Sequence, residues 1–272
     1  MELRQPAVAG AFYEKDFERL ERQLKGCYVH KKGPGALPIS KREKRVSAII
    51  TPHAGYQYSG PCAAWAYKEL AESVFPDAYL IIGTNHSGYP STTTALNDWQ
   101  TPLGVVRVDQ ELARSLIQSG IAQEDLGPHL HEHSIEVQLP FLQDLFGAVR
   151  FAPVCMGLQE LKSAVEVGEV VRDAIRGTDA VVLASTDFSH YIPKAEAARR
   201  DRLAIDRILG SDVKGFYRTV KEEDVSMCGY GPVIAMMTAV APAKPEFLKY
   251  ASSGDVAPME DVVGYAAIAI RR

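Results

Sequence analysis

The chain has 272 residues, of which 46% are hydrophobic and 24% are charged, so it is long enough to bury a sizeable core. Its formal net charge of −4 disfavours a nucleic-acid partner, which requires a basic surface. Because no apolar run approaches the roughly 20 residues that span a bilayer, and the four cysteines lack CxxC spacing, we expect a cytoplasmic protein with free thiols and no membrane contact.

Short apolar runs rich in β-branched residues alternate with helical patterns along the chain. Runs of this kind are typical of central strands in a sheet that is covered on both faces. We predict strands at 45–51, 77–86, 148–156, 179–190, 245–253 and 262–270. Helical patterns occupy 108–120, 158–175 and 194–212, and residues 92–109 are predicted to form a β-hairpin.

Cap residues mark the ends of two of these helices. Asp109 suits an N-cap and Gly120 the C′ position of the helix between them, and the helix after residue 194 is predicted to end at Gly210. The alternation of strands and helices predicts a single α/β domain over residues 1–272. We expect three α/β/α layers with a central, largely buried sheet.

Polar side chains follow three of the predicted strands at the point where each strand ends. His53 follows the apolar run SAIIT of the first strand, His86 the run YLIIG of the second, and Asp187 and His190 the run VVLAS of the fourth. Cys228 precedes a helical run near the end of the chain. Sites in open α/β sheets form just beyond the carboxyl ends of the strands. A single histidine there is usually structural, but three in equivalent places predict one shared polar site.

The stretch HLHEHSIEVQLPF contains three of the seven histidines of the chain. His129 and His131 are too close in sequence to be an obvious set of metal ligands, and we expect both to be exposed loop residues. From Ser134 the pattern is helical, with a kink at Pro140, which cannot donate a main-chain hydrogen bond. His133 would then lie at a helix N-terminus, where the dipole keeps the imidazole neutral and able to exchange a proton.

Two pairs of polar residues close to these histidines in the sequence also have candidate roles. Glu132 and Glu136 either orient a histidine as hydrogen-bond acceptors or simply favour the start of a helix through its dipole. Asp187 and His190 lie three positions apart, so one turn of helix would place both on one side. In that arrangement Asp187 would fix the tautomer of a histidine, and His190 would be a further ligand or a substrate contact.

Five motifs place the chain close to a known family. In chain order they are TPHAGYQYSG, GTNHSG, HEHSIEVQLPFL, STDFSHY and MCGYGP, and the opening RQPAVAGAFY is also similar. On these motifs the sequence resembles the Memo family, named for the mediator of cell motility, whose microbial members are called AmmeMemoRadiSam system protein B. The likeness covers nearly the whole chain. The family is similar in fold to class III extradiol dioxygenases, which hold non-haem Fe(II) with two histidines and one glutamate.

The resemblance implies one transition-metal ion bound by His53, His86 and Cys228. A cysteine replaces the glutamate of the dioxygenases at the third ligand position, which makes the donor set softer. Softness favours copper or zinc and the resemblance favours iron, so we expect iron or copper ahead of zinc. The Cys228 thiol must lose its proton to bind, so the affinity for the ion should fall at low pH.

The resemblance also implies that His133, Asp187 and His190 line the same pocket as catalytic residues, with an acid/base role for His133. The first functional hypothesis is therefore a metal-dependent oxidoreductase that uses oxygen on a small or aromatic substrate. The second is a non-catalytic module that receives a peptide, such as a phosphotyrosine-containing one, or a protein partner in the same cleft. A zinc hydrolase ranks third, because the sequence contains no HExxH motif.

Overall fold

The computed structural model of the chain describes residues 2–39 and 45–271. Within these two ranges the α-helices are α1 (Phe17–Val29), α2 (Tyr56–Ala71), α3 (Gln110–Gln118), α4 (Leu139–Phe146), α5 (Leu161–Ala174), α6 (Lys194–Leu209), α7 (Val213–Glu222) and α8 (Tyr230–Val240). The strands are β1 (Val46–Thr51), β2 (Tyr79–Thr84), β3 (Thr93–Thr94), β4 (Trp99–Thr101), β5 (Gly104–Val108), β6 (Gln123–Glu124), β7 (Arg150–Met156), β8 (Val181–Ser185), β9 (His190–Pro193), β10 (Lys244–Ser252) and β11 (Asp261–Arg271). None of these helices is both long enough and apolar enough to cross a membrane.

The strands form one mixed sheet with a parallel centre. The order across the sheet is β10–β11–β1–β8–β2–β7–β3–β6. β1 pairs in parallel with β8, β8 with β2, and β2 with β7. β11 runs antiparallel to both β1 and β10, and β10 forms that edge of the sheet. The carboxyl ends of β1, β8 and β2 therefore meet at one edge.

Helices cover both faces of the sheet, which is why β1, β2 and β8 are buried at every position. α2 packs against β1, β10 and β11 and is covered by α1, whereas α8 packs against β1, β8 and β2 and is covered by α5. The close approach of α5 to α8 requires Gly168, because a Cβ there would lie 2.5 Å from the carbonyl oxygen of Ala235. The prediction of a three-layer α/β/α fold with a buried central sheet is confirmed.

The local predictions agree with the structure where cap and turn chemistry specifies an end. The Asp109 carboxylate accepts hydrogen bonds from the main-chain amides of the first turn of α3, and Gly120 has a φ of +79° just beyond that helix. β4 and β5 form the hairpin expected within residues 92–109. The strand predicted at 179–190 is wrong in one respect, because residues 186–189 leave the sheet and separate β8 from β9.

The single domain over residues 1–272 stays a prediction, and limited proteolysis tests it. The buried apolar side chains form one cluster with members from both halves of the chain, from Tyr13 to Ile270. We therefore expect a low dose of protease to trim exposed loops without releasing two stable halves. Two fragments that separate near residue 150 and remain folded would contradict this prediction.

Candidate metal centre

The carboxyl ends of two parallel strands and the segment before helix α8 bring the three predicted ligands together. His53 comes two residues after β1, His86 two residues after β2, and Cys228 two residues before α8. Because β1, β8 and β2 are adjacent and parallel, the residues that follow them share one edge of the sheet. The ligand atoms of the three side chains lie within 4.8 Å of one another. If the three side chains moved slightly toward one another, their donor atoms could bind one ion at about 2.0–2.3 Å each.

His53 is buried, and its imidazole has a partner on each nitrogen. Nε2 lies 3.1 Å from Cys228 Sγ, and Nδ1 lies 3.0 Å from Ser185 Oγ. Burial, together with the neighbouring imidazoles, lowers the pKa of His53 well below its usual value, so the ring is neutral at pH 7. Burial also raises the pKa of the Cys228 thiol, so in the metal-free protein the thiol keeps its proton.

A carboxylate orients His86. Its Nδ1 lies 2.9 Å from Glu132 Oε1, and its main-chain N–H donates to Glu132 Oε2 at 2.7 Å. Although burial opposes ionisation of Glu132, its hydrogen bonds and the nearby imidazoles hold the pKa of this carboxyl well below its usual range. An ionised carboxylate on Nδ1 keeps the proton there, which leaves the lone pair of Nε2 free for an ion.

Glu132 also belongs to a second cluster of possible ligand atoms, with His86 and His133. Its Oε1 already accepts the main-chain amides of His133 and Ser134, at 2.8 and 2.7 Å. His86 adds two more donors, its main-chain N–H and its Nδ1–H. The carboxylate thus has four donors for its four lone-pair sites. We therefore assign Glu132 to orienting His86 and not to a second ion.

The His133 ring lies beside the three predicted ligands. Its centroid is 4.5 Å from that of His86, with the rings nearly parallel, and 5.2 Å from that of His53, with the rings nearly perpendicular. Phe12 closes the other side, with its ring centroid 4.7 Å from that of His133. Burial lowers the pKa of His133 to about 4, so its imidazole is neutral at pH 7.

The helix predicted from Ser134 is wrong in its start. Residues 136–138 form a single 3-10 turn, and α4 begins at Leu139 with Pro140 in its first turn. The first turn of a helix suits proline, because its amide would have no intrahelical partner there. Pro140 therefore starts α4 and does not kink a longer helix. His133 lies in the preceding loop, and burial, not a helix dipole, keeps its ring neutral.

Asp187 and His190 do not lie on a helical turn, because residues 186–189 have no regular secondary structure and His190 begins β9. Asp187 Oδ1 accepts the main-chain amide of His53 at 2.9 Å, so this carboxylate holds the backbone of the ligand loop. Burial raises the pKa of Asp187 to about 6. The His190 ring is fixed by Ser226, whose carbonyl oxygen lies 2.8 Å from Nδ1.

Glu136 has a partner that the sequence did not indicate. Its carboxylate forms a buried ion pair with Arg4. Arg4 also donates to the carbonyl oxygens of His129 and Glu132, at 2.8 and 2.7 Å, and its guanidinium lies 4.3 Å from the centroid of the Trp99 ring. Arg4 thus fixes the backbone of the loop that carries Glu132, the residue that orients His86.

The same carboxylate anchors the N-terminal segment to the site. Glu136 accepts the main-chain amides of Ala7 and Val8, at 2.8 and 3.0 Å, and the hydroxyl of Tyr13 at 2.6 Å. This segment carries Phe12, which packs on His133. Glu136 therefore interacts with the N-terminal segment and does not orient a histidine.

The prediction that His129 is an exposed loop residue is wrong, whereas His131 is exposed as expected. The 3-10 turn at Gly127–His129 folds the His129 ring into the interior, where Nε2 lies 3.1 Å from Thr93 Oγ1 and the ring packs against Trp99 in a T-shaped arrangement. Burial, and the nearby charge of Arg4, lower the pKa of His129 to about 4. This histidine is a neutral core residue.

The buried His129 predicts a pH dependence of stability. His129 takes up a proton near pH 6.5 in the unfolded chain but only near pH 4 in the folded protein. Its contribution to the free energy of unfolding is therefore complete above pH 6.5 and is lost as the pH falls to about 4. The loss amounts to about 3 kcal/mol. The raised pKa of Asp187 changes stability with pH in the opposite direction, so wild type alone does not isolate the effect of His129. Urea unfolding of wild type is therefore compared with that of His129→Gln. The stability difference between them should shrink on acidification, and a difference that is independent of pH would contradict this assignment.

A large cavity lies away from this cluster. Its volume is about 1260 Å³, and it is lined at the amino ends of the central strands by residues such as Ser47, Arg172, Pro242 and Arg271. Sites in sheets of this type form at the carboxyl ends. Cavity size alone therefore does not locate the chemistry, and the convergence of donor atoms does.

Comparisons with known proteins agree with the motifs. The family described as Memo-like protein matches residues 4–269. A MEMO1 family protein of Methanopyrus kandleri is 47% identical over 280 residues, covering 99% of each chain. One of Methanothermobacter thermautotrophicus is 45% identical over 273 residues, covering 97% of this chain and 99% of its own. The crystal structure of an uncharacterized protein from Escherichia coli K12 has a TM-score of 0.54 at 13% identity, covering 83% of this chain and 100% of that chain, which is a likeness of fold alone.

Proposed function

This chain belongs to the Memo-like protein family, and we propose that it is an oxidoreductase that binds one transition-metal ion and acts on a small molecule in a dioxygenase-like pocket. The observation that carries the proposal is the convergence of His53, His86 and Cys228 within 4.8 Å. We also propose that the protein works in the reducing cytoplasm, because all four cysteines are free thiols.

The donor set fits iron or copper better than a hard cation. Two neutral imidazoles and one thiol are intermediate and soft donors, whereas magnesium and calcium select carboxylates and carbonyls. Iron or copper would supply one-electron redox chemistry and open coordination positions for a small ligand. Because Cys228 holds its proton in the metal-free protein, binding would release that proton, and the affinity would fall as the pH falls.

Three other residues of the pocket have roles that follow from their contacts. His133 is neutral and stacked on His86, so it can accept a proton from a bound substrate and return it. Asp187 holds the main chain at His53. His190 is half-buried and is fixed by Ser226, so it would contact the substrate and not the ion.

The alternative is a module that binds a peptide or protein in the same cleft without turnover. One observation favours it. Tyr191, next to His190, is 77% exposed and has a φ of +54°, a backbone conformation that costs energy for a bulky residue. An exposed aromatic ring held in a strained backbone conformation next to a residue of the candidate site would suit a recognition surface. Zinc hydrolysis remains the third candidate for the same ligands.

Metal reconstitution distinguishes these functions. Metal-free protein is loaded separately with Fe(II), Cu(I) or Zn(II) without oxygen, its metal content is measured, and oxygen uptake is then followed with catechols. The proposal expects one ion per chain and uptake only with iron or copper. A stoichiometric ion without turnover, together with peptide binding, would favour the alternative, and zinc-dependent ester hydrolysis would favour the third candidate. Failure to bind any of the three ions would contradict all metal-dependent functions.

A further inference from the structure

The two histidines of the cluster are supported by different chemistry. A charged carboxylate lies behind His86, but the groups behind His53 are uncharged side chains of the interior. Tyr67, Gln138 and Ser185 are all buried, and they connect to His53 through a continuous chain of hydrogen bonds. The direction of each bond in this chain follows from what its members can donate and accept.

Gln138 has a fixed amide orientation. One end of its amide lies 2.6 Å from the hydroxyl of Tyr67 and the other lies 3.0 Å from the carbonyl oxygen of Pro52. A main-chain carbonyl only accepts, so the NH2 group must face Pro52 and the amide oxygen must face Tyr67. The same NH2 group lies 2.8 Å from Ser185 Oγ and therefore donates to it.

Ser185 has one hydroxyl proton and two lone pairs. Its Oγ lies 2.6 Å from the carbonyl oxygen of Ser134, which can only accept, so the hydroxyl proton is used there. One lone pair accepts from Gln138, and the other faces His53 Nδ1 at 3.0 Å. Toward the imidazole, Ser185 is therefore an acceptor only.

We propose that Ser185 is a positioning residue that fixes His53 in the tautomer protonated at Nδ1 before any ion binds. In this tautomer the lone pair of Nε2 points into the ligand cluster, toward Cys228 Sγ at 3.1 Å. The other tautomer would place a proton where the ion must bind and would set two acceptors, His53 Nδ1 and Ser185 Oγ, against each other. The functional meaning of this inference rests on the proposed metal site, but the tautomer is a property of the metal-free protein.

The chain gives the two histidines the same tautomer by different means. His86 donates its Nδ1 proton to the anionic Glu132, which makes the ring a stronger electron donor. His53 donates to a neutral hydroxyl, so its ring gains less electron density. The site would thereby bind one ion through a thiolate, one strongly polarised imidazole and one weakly polarised imidazole.

The test measures the tautomer directly. Metal-free protein labelled with 15N in histidine is examined at neutral pH by long-range 1H–15N correlation, which distinguishes a protonated Nδ1 from a protonated Nε2. We expect a pure Nδ1–H form for His53 in wild type. In Ser185→Ala we expect a mixture or the Nε2–H form, with an affinity for Co(II), a spectroscopic substitute for Fe(II), that is lower by about 10–100-fold.

Ser59→Ala is the matched control, because Ser59 is also buried and its hydroxyl also donates to a main-chain carbonyl, that of Ala54, at 2.7 Å. This variant should keep the wild-type tautomer and affinity. An Nε2–H form of His53 in wild type overturns the proposal without the need for any variant. An unchanged tautomer in Ser185→Ala, or the same change in Ser59→Ala, overturns it as well. If wild type shows the expected tautomer but binds no Co(II), the inference stands and the proposed function fails.

Discussion

Replacing His53 with alanine is expected to abolish metal binding, whereas replacing His133 with alanine should leave the metal content nearly unchanged. The difference follows from where the two rings lie. His53 directs Nε2 to Cys228 Sγ at 3.1 Å and is one of the three side chains whose donor atoms converge. His133 stacks on His86 and hydrogen-bonds through its backbone to Glu132, outside that set. Elemental analysis of both variants after identical reconstitution gives the comparison.

The same pair of variants also separates ligand and proton-transfer roles. If the protein turns over a substrate, His133→Ala should lose about 10²–10⁴ in rate while it keeps its ion, because a positioned general acid/base contributes that much. Circular dichroism of both variants controls for folding. Equal loss of metal from the two folded variants would show that His133 is itself a ligand and that the assignment above is wrong.

Arg4→Ala is expected to lower the free energy of unfolding by about 3–5 kcal/mol, because it leaves the buried carboxylate of Glu136 without its countercharge. It also leaves the carbonyl oxygens of His129 and Glu132 without a donor in the interior. Denaturation by guanidinium chloride measures the change through the midpoint and slope of unfolding.

Arg22→Ala is the control for this experiment. Arg22 pairs with Glu18 one turn away on α1, and both side chains are largely exposed. An exposed pair contributes little to stability, and alanine is a good helix former, so no measurable loss is expected. Comparable stability of Arg4→Ala and Arg22→Ala would mean that the N-terminal segment does not depend on the buried ion pair.

Much of the fold follows from the sequence because its signals are local. The central strands are continuous apolar runs. α3 begins directly after its N-cap Asp109 and is followed by Gly120, which has a positive φ. The convergence of His53 and His86 follows from the same signals, since parallel neighbouring strands end at one edge. The role of Cys228 was different, because only the family resemblance singled it out as a ligand.

The parts that could not be predicted depend on partners far away in the chain. Arg4 and Glu136 are 132 positions apart, and nothing near either residue indicates the other. His129 is buried by Thr93 and Trp99, whereas its local sequence, which is rich in polar residues and contains Gly127 and Pro128, resembles an exposed loop. The helix predicted from Ser134 failed for another reason, since the apolar spacing of a 3-10 turn that leads into α4 resembles that of a longer helix.

The wide separation of the ligands along the chain has a consequence for the order of assembly. Cys228 and His53 are 175 positions apart and meet only when the parallel strands are already paired. Contacts of such long range form late in folding, because the loop between them must close first. In small zinc modules the ion and the fold form together, since the unfolded chain has no preformed site. Here the sheet must form before the ligands meet, so an ion would bind to the folded protein. A chelator should then remove the ion again without unfolding the chain.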